Sequence, residues 1–444
     1  MKNLNTFKQD ILVGSSILYK SNNSKFNKIK FMIDNMEDNL AFKEYIKLNK
    51  VNEKNEYNNI LNKFKNRYIN YRNSWVKVLD NKDRNYPLSV DIEIAAICDL
   101  ACPHCHREYL VTPDKIINEE LYKNIVDQAV KIGVPSLKLI WRGEPLLHPK
   151  LKDLITYAKK SGILDVIINT NATNLDEKKA KEIIDSGLDT LIYSFDGGTK
   201  ETYEKMRPGR FKKNSFNNVY NNIKNFSIVK KNNNSKFPTT KIQMIMTKDT
   251  RGEIDAFYNL FNDYVDDVTV TQYNERGGEV DDLDPKLKLG ILDYLKKNNL
   301  KSDTPYMVDL DGNVYISKKR KECEQIYQRL MVTYSGKVGM CCHDWGAKHT
   351  IGYLSKSAYE EENDISEVKK KIDQKKKGFE LLKDAILPKQ FNTPKKTVGN
   401  LDDIWHGEEL KRVRKAHQNG EINSIDICKG CTFKDTYHWE KIKI

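Results

Sequence analysis

The chain has 444 residues, enough for two or three domains at roughly 100–200 residues each. Apolar residues make up 39%, which leaves ample material for a core and excludes a collagen-like or mostly disordered chain. Lys and Arg outnumber Asp and Glu by 75 to 62, a net charge of +13; the 8 cysteines are too few for a disulfide-stapled scaffold, and no apolar run approaches the ~18 residues of a membrane span.

In chain order, Ile11 to Tyr19 is the best candidate for a secretion signal. Gly14, Ser15 and Ser16 dilute it, Asp10 precedes it and no small-x-small cleavage site follows, so a cytoplasmic protein is expected. Residues 1–84 are Lys/Asn-rich, with Phe42, Tyr45, Ile46, Ile60, Phe64 and Tyr68 at helical spacing, and predict a helical N-terminal extension ending at Pro87. From Leu88 the pattern alternates. Strands are predicted at Leu88–Ile97, Ser136–Trp141, Val166–Thr170, Thr190–Phe195, Lys241–Thr247 and Val265–Thr271. Helices are predicted at 119–132, 150–161, 176–186, 216–230 and 253–263. Gly162 and Gly187 are placed to end two of them. Six βα-type units in about 185 residues predict a parallel sheet with crossover helices. They are too few for an eight-stranded closed barrel. The fold class is therefore α/β, a partial (β/α)6 TIM-like barrel over 85–305, followed by an irregular Cys-bearing region over 306–444. Within that region 355–397 is a Lys/Glu-rich insertion carrying Lys369–Lys371 and Lys375–Lys377, read as a solvated segment. The Lys excess is dispersed, so neither nucleic acid nor membrane is an expected partner.

The cysteines need a separate explanation. Cys98, Cys102 and Cys105 form a compact C-x3-C-x2-C triplet; Cys323, Cys341, Cys342, Cys428 and Cys431 lie more than 200 residues downstream. Such spacing in a cytoplasmic protein reads as metal binding rather than disulfides. Three thiolates on a four-iron cluster leave one iron open to a chelating ligand. Four of the downstream thiolates are enough to close a second cluster, with Cys342 to spare. Structural zinc is the alternative for both groups, with His104 or His106 as the local fourth ligand at the triplet.

In parallel βα folds chemistry collects at the carboxyl ends of the strands. The first predicted strand runs into the Cys triplet, the second into Trp141-Arg142-Gly143-Glu144-Pro145, the third into Asn169-Thr170-Asn171, and the fourth into Ser194-Phe195-Asp196-Gly197 with Arg207 shortly after. With this set the chain resembles a radical S-adenosylmethionine (radical SAM) enzyme with a C-terminal SPASM-type auxiliary iron–sulfur domain. The triplet is similar to the family's core motif and Gly143-Glu144-Pro145 to its GGEP motif. Cys323 through Gly336 to Cys341, Val398-Gly399-Asn400-Leu401 with Ile404-Trp405, and the Cys428/Cys431 pair resemble the auxiliary domain. The likeness runs from about residue 88 to 435. Arg142 stands where the first Gly of GGEP is common, His104 where many members carry an aromatic residue, and about forty extra residues separate Leu354 from Val398.

The resemblance implies a 4Fe-4S cluster on Cys98, Cys102 and Cys105 that chelates S-adenosyl-L-methionine. Reductive cleavage then gives a 5′-deoxyadenosyl radical that abstracts a substrate hydrogen. Glu144 and the backbone beside Gly143 are expected at the amino group, Arg207 with Ser194 at the carboxylate, and Asn169 or Asn171 at the ribose hydroxyls. Cys323, Cys341, Cys428 and Cys431 are expected to ligate an auxiliary 4Fe-4S cluster. Cys342 is then an alternative ligand to Cys341, a hydrogen-atom donor or an inert side chain, and Asp344 with His343 is a candidate for acid–base work. The implied activity is oxidation or epimerisation of a small polar molecule (a sugar, aminocyclitol or nucleotide-linked sugar), with a reducing donor such as flavodoxin or ferredoxin. A peptide-modifying maturase and a non-enzymatic iron–sulfur or zinc scaffold are the alternatives.

Overall fold

The computed structural model describes residues 19–20, 26–105, 107, 113–273, 285–302, 304–308, 313–345, 347–360, 397–429, 431, 433 and 436–444. His106, most of the secretion-signal candidate and all but the edges of the 355–397 insertion, its lysine triplets included, lie outside the described residues.

After a short strand β1 (Tyr19–Lys20), the extension forms α1 (Lys28–Asp34), α2 (Leu40–Leu48) and α3 (Lys54–Val76). Ile60, Leu61, Phe64, Tyr68 and Tyr71 are the buried stripe of α3, and Phe42 packs edge-on against Phe64 at 5.4 Å. Six parallel strands follow: β2 (Ser89–Ile92), β3 (Ser136–Lys138), β4 (Asp165–Thr170), β5 (Thr190–Ser194), β6 (Thr239–Met246) and β7 (Asp267–Gln272). They are hydrogen-bonded in sequential order, as the six-unit pattern predicts. The crossover helices are α4 (Glu119–Ile132), α5 (Leu151–Lys160), α6 (Glu177–Asp185), α7 (Lys200–Met206), α8 (Phe216–Asn232) and α9 (Ile254–Phe261). Helix α4 shows why the boundaries are readable. The Asn118 side chain accepts from the Glu120 and Leu121 N–H groups, two acidic residues occupy the first turn, and Gly133 ends the helix at φ +92°.

Strand periodicity splits the sheet into two faces. Val90, Ile92, Leu137, Val166, Ile168, Leu191, Ile242, Met244, Val268 and Val270 are buried in the core beneath the helices. The inner face instead carries Asp91, Glu93, Lys138, Asn169, Ser194, Lys241, Gln243 and Thr271, all but Asp91 and Glu93 only partly buried. Asp91 pairs with Arg329 at 2.8 Å and Glu93 with Arg142 at 2.5 Å, so the inner face is a polar surface with matched charges.

The sheet does not stop at the barrel. Helix α10 (Pro285–Lys297) precedes a three-stranded sheet of β8 (Tyr306–Val308), β9 (Val314–Ile316) and the C-terminal β14 (Glu440–Ile442). Then, after α11 (Gln325–Gln328), strand β10 (Arg329–Val332) pairs parallel with β2, setting Met331 opposite Asp91. Strands β11 (Lys337–Gly339), β12 (Thr350–Tyr353) and β13 (Thr397–Val398) extend the same sheet. Gly336, at φ +94°, makes the turn between β10 and β11. Strand β13 lies parallel to β12, which joins the two ends of the insertion. Helices α12 (Leu401–Trp405), α13 (Glu408–Gln418) and α14 (Asp426–Lys429) complete this side. One core of buried side chains runs from Met32 to Cys428.

At the amino ends of β4 and β5 a buried polar cluster ties the extension to the sheet. Lys159 Nζ donates to Asp189 Oδ2 at 2.7 Å, to Asn39 Oδ1 at 3.1 Å and to the Leu164 carbonyl at 2.8 Å. Asn39, which caps α2, donates to Asp189 Oδ1 at 2.7 Å, and the Val166 N–H donates to Asp189 Oδ2 at 2.7 Å. Lys159 is completely buried. Removing it strands a buried carboxylate, so Lys159→Met is expected to cost about 3–5 kcal/mol in urea unfolding. A cost below about 1 kcal/mol would show that the cluster does not hold the extension in place.

Candidate cofactor and cluster sites

The loop after β2 carries Cys98, Cys102 and Cys105, none of them in a disulfide, with the Cys105 N–H donating to the Cys102 carbonyl at 2.9 Å. The turn after β3 lies directly on this loop. The Glu144 N–H donates to the Ile97 carbonyl at 2.8 Å. A β-carbon at Gly143 would fall 2.1 Å from the Ala95 carbonyl oxygen and 2.5 Å from that of Ile97, so only glycine permits this approach. Arg142, in place of a glycine, turns away to make a two-bonded, buried ion pair with Glu93 at 2.5 and 2.6 Å.

Glu144 is buried and nearly saturated. Its Oε1 accepts from the Leu146 N–H at 3.0 Å and Thr170 Oγ1 at 2.7 Å, and its Oε2 accepts from the Asn171 N–H at 2.7 Å. A carboxylate has about four acceptor sites, so one remains on Oε2. Asp99, beside Cys98, collects Asn171 Nδ2 at 2.8 Å, Thr173 Oγ1 at 2.5 Å and Asn174 Nδ2 at 2.9 Å. Glu144 and Asp99 together latch the loop after β4 to the cysteine loop. This engages Asn171 at its amide nitrogen by Asp99 and at Oδ1 by the Thr173 N–H. Asn169 differs: its Oδ1 is buried without a hydrogen-bond partner, and its Nδ2 is 3.5 Å from Gln243 Oε1.

Ser194 ends β5 on the inner face, paired in register with Gln243. Arg207, buried at the end of α7, places Nη2 2.6 Å from Asp196 Oδ2, while its Nε has no hydrogen-bond partner. His104 Nε2 lies 3.2 Å from the same Asp196 oxygen, and the Ile245 N–H donates to Asp196 Oδ1 at 2.7 Å. Burial alone would raise the Asp196 carboxyl, but Arg207 and His104 outweigh it and hold the group at about 2. Neither the His104–Asp196 contact nor the Asp99 latch was marked in the sequence, where His104 read as a possible zinc ligand.

The downstream cysteines converge on a second place. Cys323, Cys341, Cys428 and Cys431 line one small cavity together with Arg320, Met340, His343 and His417. Cys342 does not line it. Its Sγ lies 3.2 Å from Gln325 Oε1, and it packs against Trp141, Met331 and Ala347 on the inner-face side. Asp344 is fully buried, its carboxylate accepting from the Met340 N–H at 3.3 Å and the His349 N–H at 3.1 Å, so the structure gives it a place in the turn after β11 and no opening to a cavity. Burial pushes the Asp344 carboxyl above its ordinary range. His343 borders the cavity, 4.7 Å from the Phe433 ring.

Burial opposes ionisation at both cysteine groups. It pushes Cys102 and Cys428 up to about 12, and Cys98, Cys323 and Cys341 well above the ordinary thiol value. Protonated thiols in such places are inert, and bound metal is what replaces the proton and makes them ligands. Among the described residues no three of His, Cys, Asp or Glu converge on a single metal ion.

The Radical SAM superfamily profile matches residues 92–261. The barrel is a radical SAM domain. Such domains use a [4Fe–4S] cluster and S-adenosylmethionine, and the cysteine triplet, the Gly143 cradle and the unpartnered Asn169 Oδ1 fit that pair. A probable GTP 3′,8-cyclase of Methanothermobacter marburgensis is 33% identical over 129 residues, 29% of this chain and 41% of that protein. The tungsten-containing aldehyde ferredoxin oxidoreductase cofactor-modifying protein of Pyrococcus furiosus is 32% identical over 108 residues, 24% of this chain and 30% of that one. The matches thus span less than half of these relatives. Among solved structures, Streptococcus suis SuiB bound to the precursor peptide SuiA aligns with a TM-score of 0.50 at 14% identity, covering 92% of this chain and 83% of that one, a likeness of fold.

Burial pushes the Glu144 carboxyl up to about 7, against the pull of its three donors. Unfolded, the group titrates near 4.5. Between these values the folded chain keeps a proton that the unfolded chain has lost. Stability from this group is therefore present at low pH and falls as pH rises from about 4.5 to about 7. Glu144→Gln is expected to flatten that part of the urea-midpoint profile, and an unchanged slope would place the pH dependence elsewhere.

Proposed function

We propose that the chain is a radical SAM enzyme acting on a small polar molecule, such as a sugar, aminocyclitol or nucleotide-linked sugar, with a SPASM-like auxiliary [4Fe–4S] cluster. One observation carries the reading: the cysteines divide into three on the loop beside Gly143, four around a separate cavity, and Cys342 outside both. Cys98, Cys102 and Cys105 would hold the first cluster and Cys323, Cys341, Cys428 and Cys431 the second. When bound, the first cluster with S-adenosylmethionine supplies one-electron cleavage of the sulfonium and abstraction of a hydrogen atom. A reducing donor such as flavodoxin or ferredoxin is the partner this chemistry requires, in the cytoplasm. Among the described residues no helix is long and apolar enough to cross a membrane.

The chain's own residues orient the reactants. The remaining Oε2 site of Glu144 and the carbonyls beside Gly143 suit an ammonium group. Asn169 Oδ1 suits a ribose hydroxyl, and Arg207, held by Asp196 with its Nε free, suits a carboxylate near Ser194. The inner face supports a polar substrate, because Lys138, Asn169, Ser194, Lys241 and Gln243 offer donors and acceptors where a solvent-free apolar pocket would offer none. A substrate radical there has two outcomes: loss of an electron and a proton, which is oxidation, or gain of a hydrogen atom, which is epimerisation. Cys342, turned to the inner-face side, favours the second. Peptide modification is the competing reading. Against it, the helices of the described extension pack on the amino end of the sheet, and its short strand β1 already pairs with β7 at the sheet's edge.

Anaerobic iron and sulfide analysis tests the division directly. Replacing the triplet by Ala is expected to remove about four irons and abolish formation of 5′-deoxyadenosine from S-adenosylmethionine under reduction. Replacing Cys323 and Cys428 is expected to remove the other four, and Cys342→Ala to remove none. Zinc in place of iron, or a fully loaded enzyme that never cleaves S-adenosylmethionine, would sink the reading. Turnover in deuterated water then separates the outcomes. Epimerisation places solvent deuterium on the substrate carbon and is lost in Cys342→Ala, whereas oxidation leaves no label.

A further inference from the structure

His417 was not singled out by any feature of the sequence, yet it touches two of the cavity's cysteines. It sits on α13 with 3% of its surface exposed. The Cys323 backbone N–H donates to its Nδ1 at 3.3 Å. That nitrogen is the acceptor, so the proton of the neutral ring lies on Nε2, and Nε2 faces Cys428 Sγ at 3.4 Å. A backbone group therefore fixes the tautomer, and α13 fixes the ring's direction. Arg320 holds the same cysteine from another side: its guanidinium donates to the Cys428 carbonyl and lies 4.8 Å over the Tyr437 ring.

We propose that His417 donates an Nε2–H hydrogen bond to the Cys428 sulfur and so raises the reduction potential of the auxiliary cluster. The proposal rests on the reading that Cys323, Cys341, Cys428 and Cys431 hold a [4Fe–4S] cluster. Reduction adds one negative charge, which spreads over the irons, sulfides and cysteine sulfurs. A donor aimed at one of those sulfurs stabilises the reduced state more than the oxidised one. The effect is larger where water is excluded, and Cys428 is 6% exposed. His417 is thus a positioning residue that acts through Cys428. Four thiols already line the cavity, and its ring is bound to the backbone of one and directed at the sulfur of another, the geometry of a donor rather than of a fifth ligand.

The test uses the full chain with Cys98, Cys102 and Cys105 replaced by Ala, reconstituted anaerobically with iron and sulfide, so that the auxiliary cluster alone is observed. Its midpoint potential is read by a mediated redox titration followed by electron paramagnetic resonance. His417→Leu is expected to leave iron content unchanged and to lower the reduced-to-oxidised ratio about tenfold at a fixed potential, ~59 mV for one electron. His417→Gln keeps an amide N–H and is expected to recover part of that loss. A midpoint unmoved in both variants overturns the proposal, as does loss of the cluster in His417→Leu, which would make the histidine a ligand or a prop. If the parent protein itself takes up no iron and sulfide, the four-cysteine reading fails with it, and the analysis made before the titration tells the two failures apart.

Discussion

The site depends on a contact between two pieces of backbone. The turn after β3 can rest on the cysteine loop only because Gly143 has no side chain; a single β-carbon there would overlap the Ala95 and Ile97 carbonyls. That contact sets Glu144 where it reaches the loop after β4, and Asp99 returns the connection from the cysteine side through Asn171, Thr173 and Asn174. Three loops from three neighbouring strands are thereby fixed to one another by buried and partly buried hydrogen bonds. Two of the buried polar atoms without a hydrogen-bond partner, Asn169 Oδ1 and Arg207 Nε, lie where a polar ligand is expected. Buried polar atoms without partners are costly, so sites that keep them are usually sites that something else completes.

The same sheet carries the second cysteine group. Strand β10 adds to β2 in parallel register, and the inner face continues from Asp91 to Met331 across that seam. The auxiliary region is therefore joined to the barrel through backbone hydrogen bonds and a shared core, with no linker between them at β2 and β10. The ion pairs Asp91–Arg329 and Glu93–Arg142 lie at this seam and offset the desolvation of four charges. At the opposite end of the strands, the Lys159–Asp189–Asn39 cluster fastens the helical extension. The load on stability and the chemistry thus occupy opposite ends of the same strands.

Much of this was legible in the sequence, for physical reasons that can be named. The six βα units follow from apolar alternation, and α4 from the stripe of Leu121, Ile125, Ala129 and Ile132. The cysteine groups follow from spacing. Long-range polar pairing was not legible. Lys159 reads as one of two lysines in the last turn of a surface helix, and only the fold shows that it is completely buried against Asp189. Arg142 breaks the expected Gly-Gly pattern, and its partner Glu93 lies 49 residues away. The pairing of β13 with β12 spans the insertion, which no local pattern connects. His417 follows Leu410 and Val413 at helical spacing, which places it on the buried stripe of α13, but only the fold brings Cys323 and Cys428 to it.

The consecutive pair Cys341 and Cys342 shows how one short segment serves two environments. The chain turns just here, the Asp344 N–H donating to the Cys341 carbonyl at 3.0 Å, and the two side chains meet different surroundings. Cys341 enters the thiol-lined cavity, and Cys342 turns to Trp141 and Met331 at the inner face. A cluster ligand and a thiol able to give up a hydrogen atom would then be one residue apart yet separated by the backbone. That arrangement suits a reaction in which charge is handled on one side and the substrate carbon on the other. Cys342 meets the Gln325 amide oxygen there, its Sγ at 3.2 Å.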